Sequence, residues 1–300
     1  MKQFLTVLIS VLILVFGLTP AHLSAQNRIP IFLIGTVNYP GAGNSTTPFA
    51  INNRGDIVGD YLDAANVRRG FWRHLNGSFA TIVAPGDTGN FTRARGINSR
   101  QTISGDFYTL ADNTFHGYLL QNGAFTQFDI APLVSTDIFG INDAGNFVGA
   151  TGSIIQPNMG FVHIGGTTTT FSIPGSFDSQ ALGINNANLV VGSYRDASFI
   201  NHGFIRAANG NISSPVDYPG SSSTIFNGVN NRGWVVGSYT DAQGRLHGLF
   251  RKNATTYVTY DFPNAVETSF NGINDFGVIV GRYTDGNGIR HGFAALALTF

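Results

Sequence analysis

A three-point pattern recurs six times along the chain and limits the folds that it can adopt. Its first point is an apolar residue followed by asparagine, and successive asparagines are 46, 44, 43, 45 and 44 residues apart. A glycine follows seven residues after each asparagine, and a second glycine, itself followed by an apolar residue, comes ten to twelve residues later. A fixed period of this length indicates repeated supersecondary units. The asparagines are Asn52, Asn98, Asn142, Asn185, Asn230 and Asn274.

Each copy divides into four strand-length segments separated by turn residues. In the fifth copy these segments are 225–230, 234–239, 247–251 and 256–262. Dipeptides such as Asn122-Gly123 and Asn209-Gly210 supply the positive backbone φ angles that tight hairpins require. A parallel β-helix has shorter rungs, and a helical solenoid needs a 3.6-residue apolar period that is absent here. The sequence therefore predicts an all-β, six-bladed β-propeller built from four-stranded blades.

The two ends of the chain predict how the ring closes. The sixth copy ends at Phe300, within its third strand, and lacks a fourth. Residues 31–39, followed by Pro40-Gly41, match the fourth strands that end in Tyr218-Pro219-Gly220 and Phe262-Pro263-Asn264. We therefore expect the N-terminal strand, at about 30–39, to complete the last blade, because a closed ring leaves no exposed sheet edge. Burial of Ile31, Leu33 and Val37 would stabilise the closure.

The first 25 residues have the layout of a signal peptide. Lys2 precedes an apolar run from Phe4 to Leu18, and Leu23-Ser24-Ala25 forms a small-residue cleavage site. This run is shorter than the ~20 residues that a spanning helix needs. We expect an exported protein, secreted to the extracellular space or the periplasm, with residues 26–300 forming a single monomeric domain without a membrane span. The chain has no cysteine, so its stability must come from burial and strand pairing.

Composition and residue patterns exclude several functional classes. Lysine and arginine together equal aspartate and glutamate at 17 each, so no basic field is available for nucleic acid. Glu267 is the only glutamate, and no aspartate pair stands out as the two carboxyl groups of a glycosidase. The loops at 241–244 and 285–288 resemble calcium loops only faintly, because they lack the spaced carboxylates of a dedicated site. No cofactor and no metal are expected.

The glycine-isoleucine-asparagine, valine-glycine and histidine-glycine-phenylalanine anchors, with the signal peptide, resemble the bacterial extracellular repeat family named for its His-Ala-Phe tripeptide (HAF repeats). The resemblance covers about residues 30–300. This chain has glycine where the family has alanine, and Arg69 and Met159 replace histidine in the first and third copies. The resemblance implies an exported β-propeller-like repeat protein and no particular activity.

Three sets of residues recur at equivalent positions and are candidates for structural or binding roles. Glycines within the second strands are expected to allow close contact between blades: Gly59, Gly105, Gly149, Gly192, Gly237 and Gly281. Histidines before the second glycine are expected to form structural hydrogen bonds, since equivalent positions lie too far apart around a ring to share a metal: His116, His202, His247 and His291. Aromatic residues near the ends of the second strands, at the rim of one face, are candidate ligand-binding residues, with packing between blades as the alternative: Tyr61, Phe107, Tyr194, Tyr239 and Tyr283.

Repetition itself bears on function, because a catalytic site places unlike groups at one point, whereas these copies are alike. We expect a secreted binding or interaction module for extracellular carbohydrate or protein, which its repeated blades would allow to be multivalent. One alternative is a propeller enzyme of lactonase or glycan-cleaving type, with its site at the mouth of the central channel. Another is a structural component of the cell envelope. Several unlike polar side chains meeting in one pocket with perturbed pKa values would favour the enzyme, and similar shallow sites recurring between blades would favour the binding module.

Overall fold

The computed structural model describes residues 29–153 and 156–298, and the predicted signal peptide lies outside the described residues. Within this part of the chain, 24 strands form six four-stranded antiparallel sheets arranged as the blades of a propeller. The predicted six-bladed β-propeller is confirmed. The first strand of each blade lines a central channel, and the fourth lies at the periphery.

The first three blades follow the chain after an initial strand, β1 (Ile31–Thr36). Blade 1 comprises β2 (Thr46–Ile51), β3 (Ile57–Leu62), β4 (Arg68–Arg73) and β5 (Phe79–Ile82). Blade 2 comprises β6 (Thr92–Ile97), β7 (Ile103–Thr109), β8 (Thr114–Gln121) and β9 (Ala124–Phe128). Blade 3 comprises β10 (Ser135–Ile141), β11 (Phe147–Ser153), β12 (Gln156–Ile164) and β13 (Thr167–Phe171).

The last three blades keep the same order of strands. Blade 4 comprises β14 (Asp178–Ile184), β15 (Val190–Arg195), β16 (Asn201–Arg206) and β17 (Ile212–Ser213). Blade 5 comprises β18 (Ser223–Val229), β19 (Val235–Thr240), β20 (Leu246–Arg251) and β21 (Tyr257–Tyr260). Blade 6 comprises β22 (Glu267–Ile273), β23 (Val278–Thr284) and β24 (Arg290–Ala297), with β1 as its outer strand.

The ring closes through antiparallel pairing of β1 with β24, as the sequence predicts. Ile31 pairs with Ala297, and a bulge between Leu33 and Gly35 shifts the register before Thr36 pairs with Phe293. Val37 is buried and Ile31 is partly buried. The expected burial of Leu33 is wrong, because this side chain is 43% exposed on the outer face of the edge strand.

Apolar side chains of neighbouring blades pack against each other and form the core between them. Between blades 4 and 5, Val191 and Phe226 pack with Val235 and Leu249, and each of the four is at most 1% exposed. Full burial of such a side chain stabilises the fold by roughly 1.5–3 kcal/mol. The blades therefore depend on their neighbours, and one blade alone would expose both of its faces.

Two sets of glycines allow close approach, and only one of them does so between blades. A Cβ atom on Gly59 would overlap the carbonyl oxygen of Thr47 and the ring of Phe71, which belong to the same blade. The same holds for the other five second-strand glycines, whose nearest atoms also belong to their own blades, so the expectation that these glycines serve blade-to-blade contact is wrong. The glycines that meet across blades lie on the innermost strands, where a Cβ on Gly140 would stand 3.2 Å from the Cα of Gly183.

The pairing of β1 with β24 predicts a measurable dependence of stability on the first strand. Deleting residues 29–36 should cause unfolding or aggregation, because it exposes the edge of β24 and removes the outer cover of blade 6. Thermal denaturation with simultaneous light scattering measures both effects. Leu33→Ser, at an exposed position of the same strand, should change the free energy of unfolding by less than about 0.5 kcal/mol. A truncated chain that melts cooperatively at the parent temperature would contradict closure by β1.

Candidate functional site

Six asparagine side chains form a closed hydrogen-bonded ring at one end of the channel. The side-chain amide of Asn52 donates to the backbone carbonyl of Asn98 at 3.0 Å, and every following asparagine does the same to the next blade. The last link runs from Asn274 to the carbonyl of Asn52 at 3.2 Å and joins the sixth blade to the first. All six side chains are buried, at 3–5% exposure. The residues that mark the repeat are therefore the residues that connect the blades.

Each of these asparagines also fixes the turn between the first and second strands of its own blade. The side-chain oxygen of Asn185 accepts hydrogen bonds from the backbone N–H groups of Ala187 and Leu189, both at 3.0 Å. The other five blades repeat this arrangement. A short side chain with both a donor and an acceptor is needed, which asparagine provides and aspartate does not.

Residues that follow the asparagines form a second, incomplete ring at the channel mouth. The backbone N–H of Asp143 donates to the side-chain oxygen of Asn186, and that of Asn231 donates to Asp275. Asp275 also accepts from the side chain of Asn53 at 2.6 Å, which links the sixth blade to the first. The blade-2 residue is Ser99, which has no side-chain amide or carboxylate to continue the ring. This mouth is consequently polar and carries two carboxylates.

Deeper in the channel, six residues at β-bulges of the inner strands separate two cavities. The register of each innermost strand shifts at this position, so that its side chain lies in the channel. The outer cavity is bounded by the two asparagine-based rings. The inner cavity has a volume of about 210 Å³. The six bulge residues line both cavities and are of four types: Phe49, Arg95, Phe139, Leu182, Asn227 and Asn271.

A buried ionic network lies beside the channel in blades 2 and 3. Arg93 donates to Asp106 at 2.6 Å and to Asp137 at 2.9 Å, and Arg95 donates to Asp106 at 3.2 Å. Burial, together with the nearby charge of Asp106, raises the pKa of Asp137 to about 6. Burial and the charge of Arg93 lower the pKa of Arg95. Two guanidinium groups thus share one fully buried carboxylate, Asp106.

The aromatic residues proposed from the sequence as ligand-binding residues have their rings covered. Tyr61, Phe107 and Tyr194 are at most 8% exposed, and Tyr239 and Tyr283 are partly buried. Tyr61 stacks on Tyr39 with the ring centroids 3.7 Å apart, while a histidine stacks on each of the other four. A ligand could stack on these rings only by displacing their present partners. The structure places them in the packing around the blades and does not bring them together in one site.

The four repeated histidines each bridge two chain segments by hydrogen bonds. The ring of His247 contacts Asp241 in the preceding loop at 3.0 Å and Asp261 after the fourth strand at 2.8 Å. His202 is held in the same way by Asp196 and Asp217. His116 lies between two aspartates as well, and His291 lies between Asp285 and the side chain of Asn38. In blade 1, Arg69 takes this position and contacts Asp63.

We call each histidine with its two partner side chains a clasp, and the paired aspartates raise the pKa of the histidine in the clasps at His202 and His247. Burial alone would lower the pKa of His247, but its contacts with Asp241 and Asp261 outweigh burial and raise it. The pKa of His202 is raised for the same reason. The contact with His247 and the backbone N–H of Arg245 lower the pKa of Asp241. The loop carboxylates that resembled calcium ligands are thus engaged with backbone N–H groups and histidine.

Within residues 29–153 and 156–298, no group of three or more histidine, aspartate or glutamate side chains has an arrangement that could hold a metal ion. Over the same residues, no helix has the length and apolar character required to cross a bilayer.

Comparison with solved structures supports the fold at low sequence identity. The β-propeller domain of the Trilobed protease from Pyrococcus furiosus has a TM-score of 0.52 and 11% identity, with 86% of this chain and 84% of that chain covered. TolB from Acinetobacter baumannii has a TM-score of 0.55 and 9% identity, with 80% and 63% covered. The Aleuria aurantia lectin has a TM-score of 0.51 and 10% identity, with 86% and 93% covered.

No protein-family model matches the sequence, and comparison with curated proteins gave no match. The Pyrococcus furiosus domain is described as having an open velcro topology, whereas here β1 and β24 pair. The fold and the channel together define a six-bladed β-propeller closed by its N-terminal strand.

If the asparagine ring stabilises the fold, replacing one side-chain amide nitrogen by oxygen should lower the free energy of unfolding. Asn185→Asp keeps the acceptor for the local turn but replaces the amide donor with a carboxylate facing the carbonyl of Asn230. We expect a loss of about 2–3 kcal/mol in the free energy of unfolding, measured by urea denaturation. Asn209→Asp, at an exposed turn with only a local bond, is the matched control and should cost less than about 0.5 kcal/mol. Equal effects in the two variants would exclude an important contribution from the ring.

The histidine clasps predict a pH dependence with a definite sign. Because the folded-state pKa of His247 is raised, its stabilisation is present below the ordinary pKa of about 6.5 and is lost as pH rises through the folded value. At acid pH the lowered pKa of Asp241 keeps the clasp intact until pH falls below about 3.8. His247→Gln should therefore destabilise the protein more at pH 5.5 than at pH 8.5, as measured by urea denaturation.

His163→Gln is the control of opposite sign. Burial lowers the pKa of His163, so protonation of this residue opposes folding and its stabilisation is lost as pH falls. Its replacement should cost less at pH 5.5 than at pH 8.5. A pH-independent effect of His247→Gln would show that the charge of the clasp is not stabilising.

Proposed function

We propose that this protein is an exported binding protein that holds one carbohydrate residue in the inner cavity of its channel. The observation that carries the proposal is the break in symmetry at the bulge positions, where six otherwise equivalent blades supply different side chains. Arg95 and two asparagines provide hydrogen-bond donors and acceptors, while Phe49, Phe139 and Leu182 provide apolar surface. Sugars present both kinds of surface, with hydroxyl groups around the ring and C–H groups on its faces.

Binding is favoured over catalysis by the positions of the carboxyl groups. Glycoside hydrolysis usually requires two carboxyl groups beside the scissile bond. The residues that line the inner cavity include no aspartate or glutamate. The neighbouring carboxylates, Asp106 and Asp137, are bound by Arg93. The lactonase or glycan-cleaving alternative therefore has no pair of acid and base groups in this cavity.

A single ligand per chain is favoured over the multivalent arrangement. Repeated binding between blades would use the five aromatic residues at equivalent positions, but these rings are stacked on tyrosine or histidine. The Aleuria aurantia lectin, described with a fucose recognition mode, is a carbohydrate-binding protein of similar fold. At 10% identity, this likeness supplies an example of a six-bladed propeller that recognises a sugar, and it does not identify the ligand of this chain.

Export is part of the same proposal and rests on the predicted signal peptide at residues 1–25. Membership of the His-Ala-Phe repeat family is also proposed, and it rests on the anchor residues of the repeat. An extracellular or periplasmic location would expose the channel to free glycans and to cell-surface glycans.

Glycan binding tests this function directly. Purified residues 26–300 should bind a subset of a glycan array equally with and without calcium, and calorimetry with a positive glycan should give one site per chain. Several equivalent sites per chain would favour the multivalent arrangement instead. Absence of binding to every glycan would overturn the carbohydrate proposal and leave a protein partner or a structural role.

A further inference from the structure

The inner cavity has two cationic side chains in its lining and no anionic one. Its charged lining residues are Arg95 and Arg282, and the other polar lining residues are Asn227, Asn271, Ser238 and Ser269. No carboxylate lies among them, and the counter-charges of these arginines, Asp106 and Glu267, lie outside the cavity lining. Guanidinium groups, amides and hydroxyls all can donate hydrogen bonds to an anion.

Arg282 is the less well paired of the two arginines. Its closest carboxylate oxygen is that of Glu267, at 3.8 Å, which is beyond hydrogen-bond distance. Among the described residues, its guanidinium group has no hydrogen-bond partner. Burial and the nearby charge of Arg290 lower the pKa of Arg282, and the charges of Glu267 and Asp60 oppose this only in part. The Nε of Arg290 is itself buried without a partner.

The guanidinium group of Arg95 is held in place by its neighbours, while part of its hydrogen-bonding capacity is unused. Its guanidinium carbon lies 4.5 Å from the ring centroid of Phe49 and 5.1 Å from that of Phe139, so two aromatic rings fix its position. Its Nε donates to Asp106, whereas its two terminal nitrogens have no hydrogen-bond partner in the part of the chain that the structure describes. Pre-positioned donors of this kind lose little entropy when a ligand binds.

Ser238 adds an independent sign of a binding site. This side chain is 4% exposed, lines the inner cavity and makes no hydrogen bond to any described residue. Its hydroxyl can therefore both donate to and accept from a ligand oxygen in the cavity.

We propose that the inner cavity binds the carboxylate of an acidic sugar, with Arg282 and the free nitrogens of Arg95 as the anion-binding groups. This inference rests on the proposed carbohydrate function and specifies the class of its ligand. The guanidinium fork matches the two oxygens of a carboxylate. The asparagines and serines bind sugar hydroxyls, and Phe49 and Leu182 cover the apolar face of the ring. A sulfate ester shares the anionic chemistry and is distinguished by the test.

Calorimetry with matched sugar pairs tests the proposal. The probes are D-glucuronate against D-glucose, D-galacturonate against D-galactose, and glucose 6-sulfate. The protein is residues 26–300 and its Arg282→Gln and Arg282→Lys variants. We expect a uronate to bind at least tenfold more tightly than its neutral partner and than the sulfate ester. Arg282→Gln should reduce uronate affinity tenfold or more, and Arg282→Lys should restore part of it.

Arg245→Gln is the control for net charge, because Arg245 is exposed on the loop between β19 and β20, outside the channel lining. It should bind the uronate like the parent protein, and circular dichroism should show that all variants are folded. If neutral sugars bind as tightly as uronates, or if Arg282→Gln binds the uronate unchanged, the anion site is wrong while the carbohydrate function stands. Equal binding of the sulfate ester would make the site a general anion site, contrary to the proposal. If none of the sugars binds, the anion site is overturned here, and the glycan array decides the broader function separately.

Discussion

The side-chain amide of one asparagine per blade reaches the backbone of the next blade, and the closed arrangement of the whole ring depends on this contact. The donor atom is 3.0 Å from its acceptor in five of the six links and 3.2 Å in the sixth. The same side chains shape the turns from which the inner strands begin, so the local turn and the contact between blades form together. Buried hydrogen bonds that are linked in this way gain strength from the low dielectric around them.

Because the asparagines join the blades at one end of the channel, the side chains that line the rest of the channel can differ between blades. The inner strands approach within contact distance at glycines such as Gly140 and Gly183, and the residue before each glycine lies at a bulge facing the axis. Phenylalanine, arginine, leucine and asparagine all occur at this position, where the side chains contact one another across blades, as when the amide of Asn271 donates to the backbone carbonyl of Pro48. The scaffold is therefore repetitive where the blades contact one another and irregular where a ligand can enter.

The sequence alone predicts the fold well because the anchors of each repeat are the residues that the fold requires. The six apolar-asparagine pairs, the turn glycines and the unpaired strand at 30–39 together predict blade number, strand order and closure. In the sequence, the asparagines mark the repeat, and their presence in every copy signals a shared role. The hydrogen bonds that they form between blades are not predicted. The exposure of Leu33 could not be predicted, because the alternation of apolar residues does not reveal the bulge that follows it in β1.

The channel site was much harder to predict. Phe49, Arg95 and Asn227 occupy one structural position but share no chemical type, so no repeated pattern marks them. The tyrosines did show a pattern, but Tyr239 pairs across the strands with His247, and a sequence does not show that the histidine covers the ring. Regular repetition thus identified packing residues, while the candidate binding residues lie where repetition fails.

Hydrogen exchange of the inner strands, measured by mass spectrometry on the folded parent and on Asn185→Asp, tests the role of the asparagine ring most directly. If the ring joins the six blades into one cooperative unit, loss of one link in blade 4 should speed exchange in the inner strands of all six blades, including β2 and β22. Faster exchange confined to blades 4 and 5 would contradict this account and show that each blade is stabilised by its immediate neighbours alone.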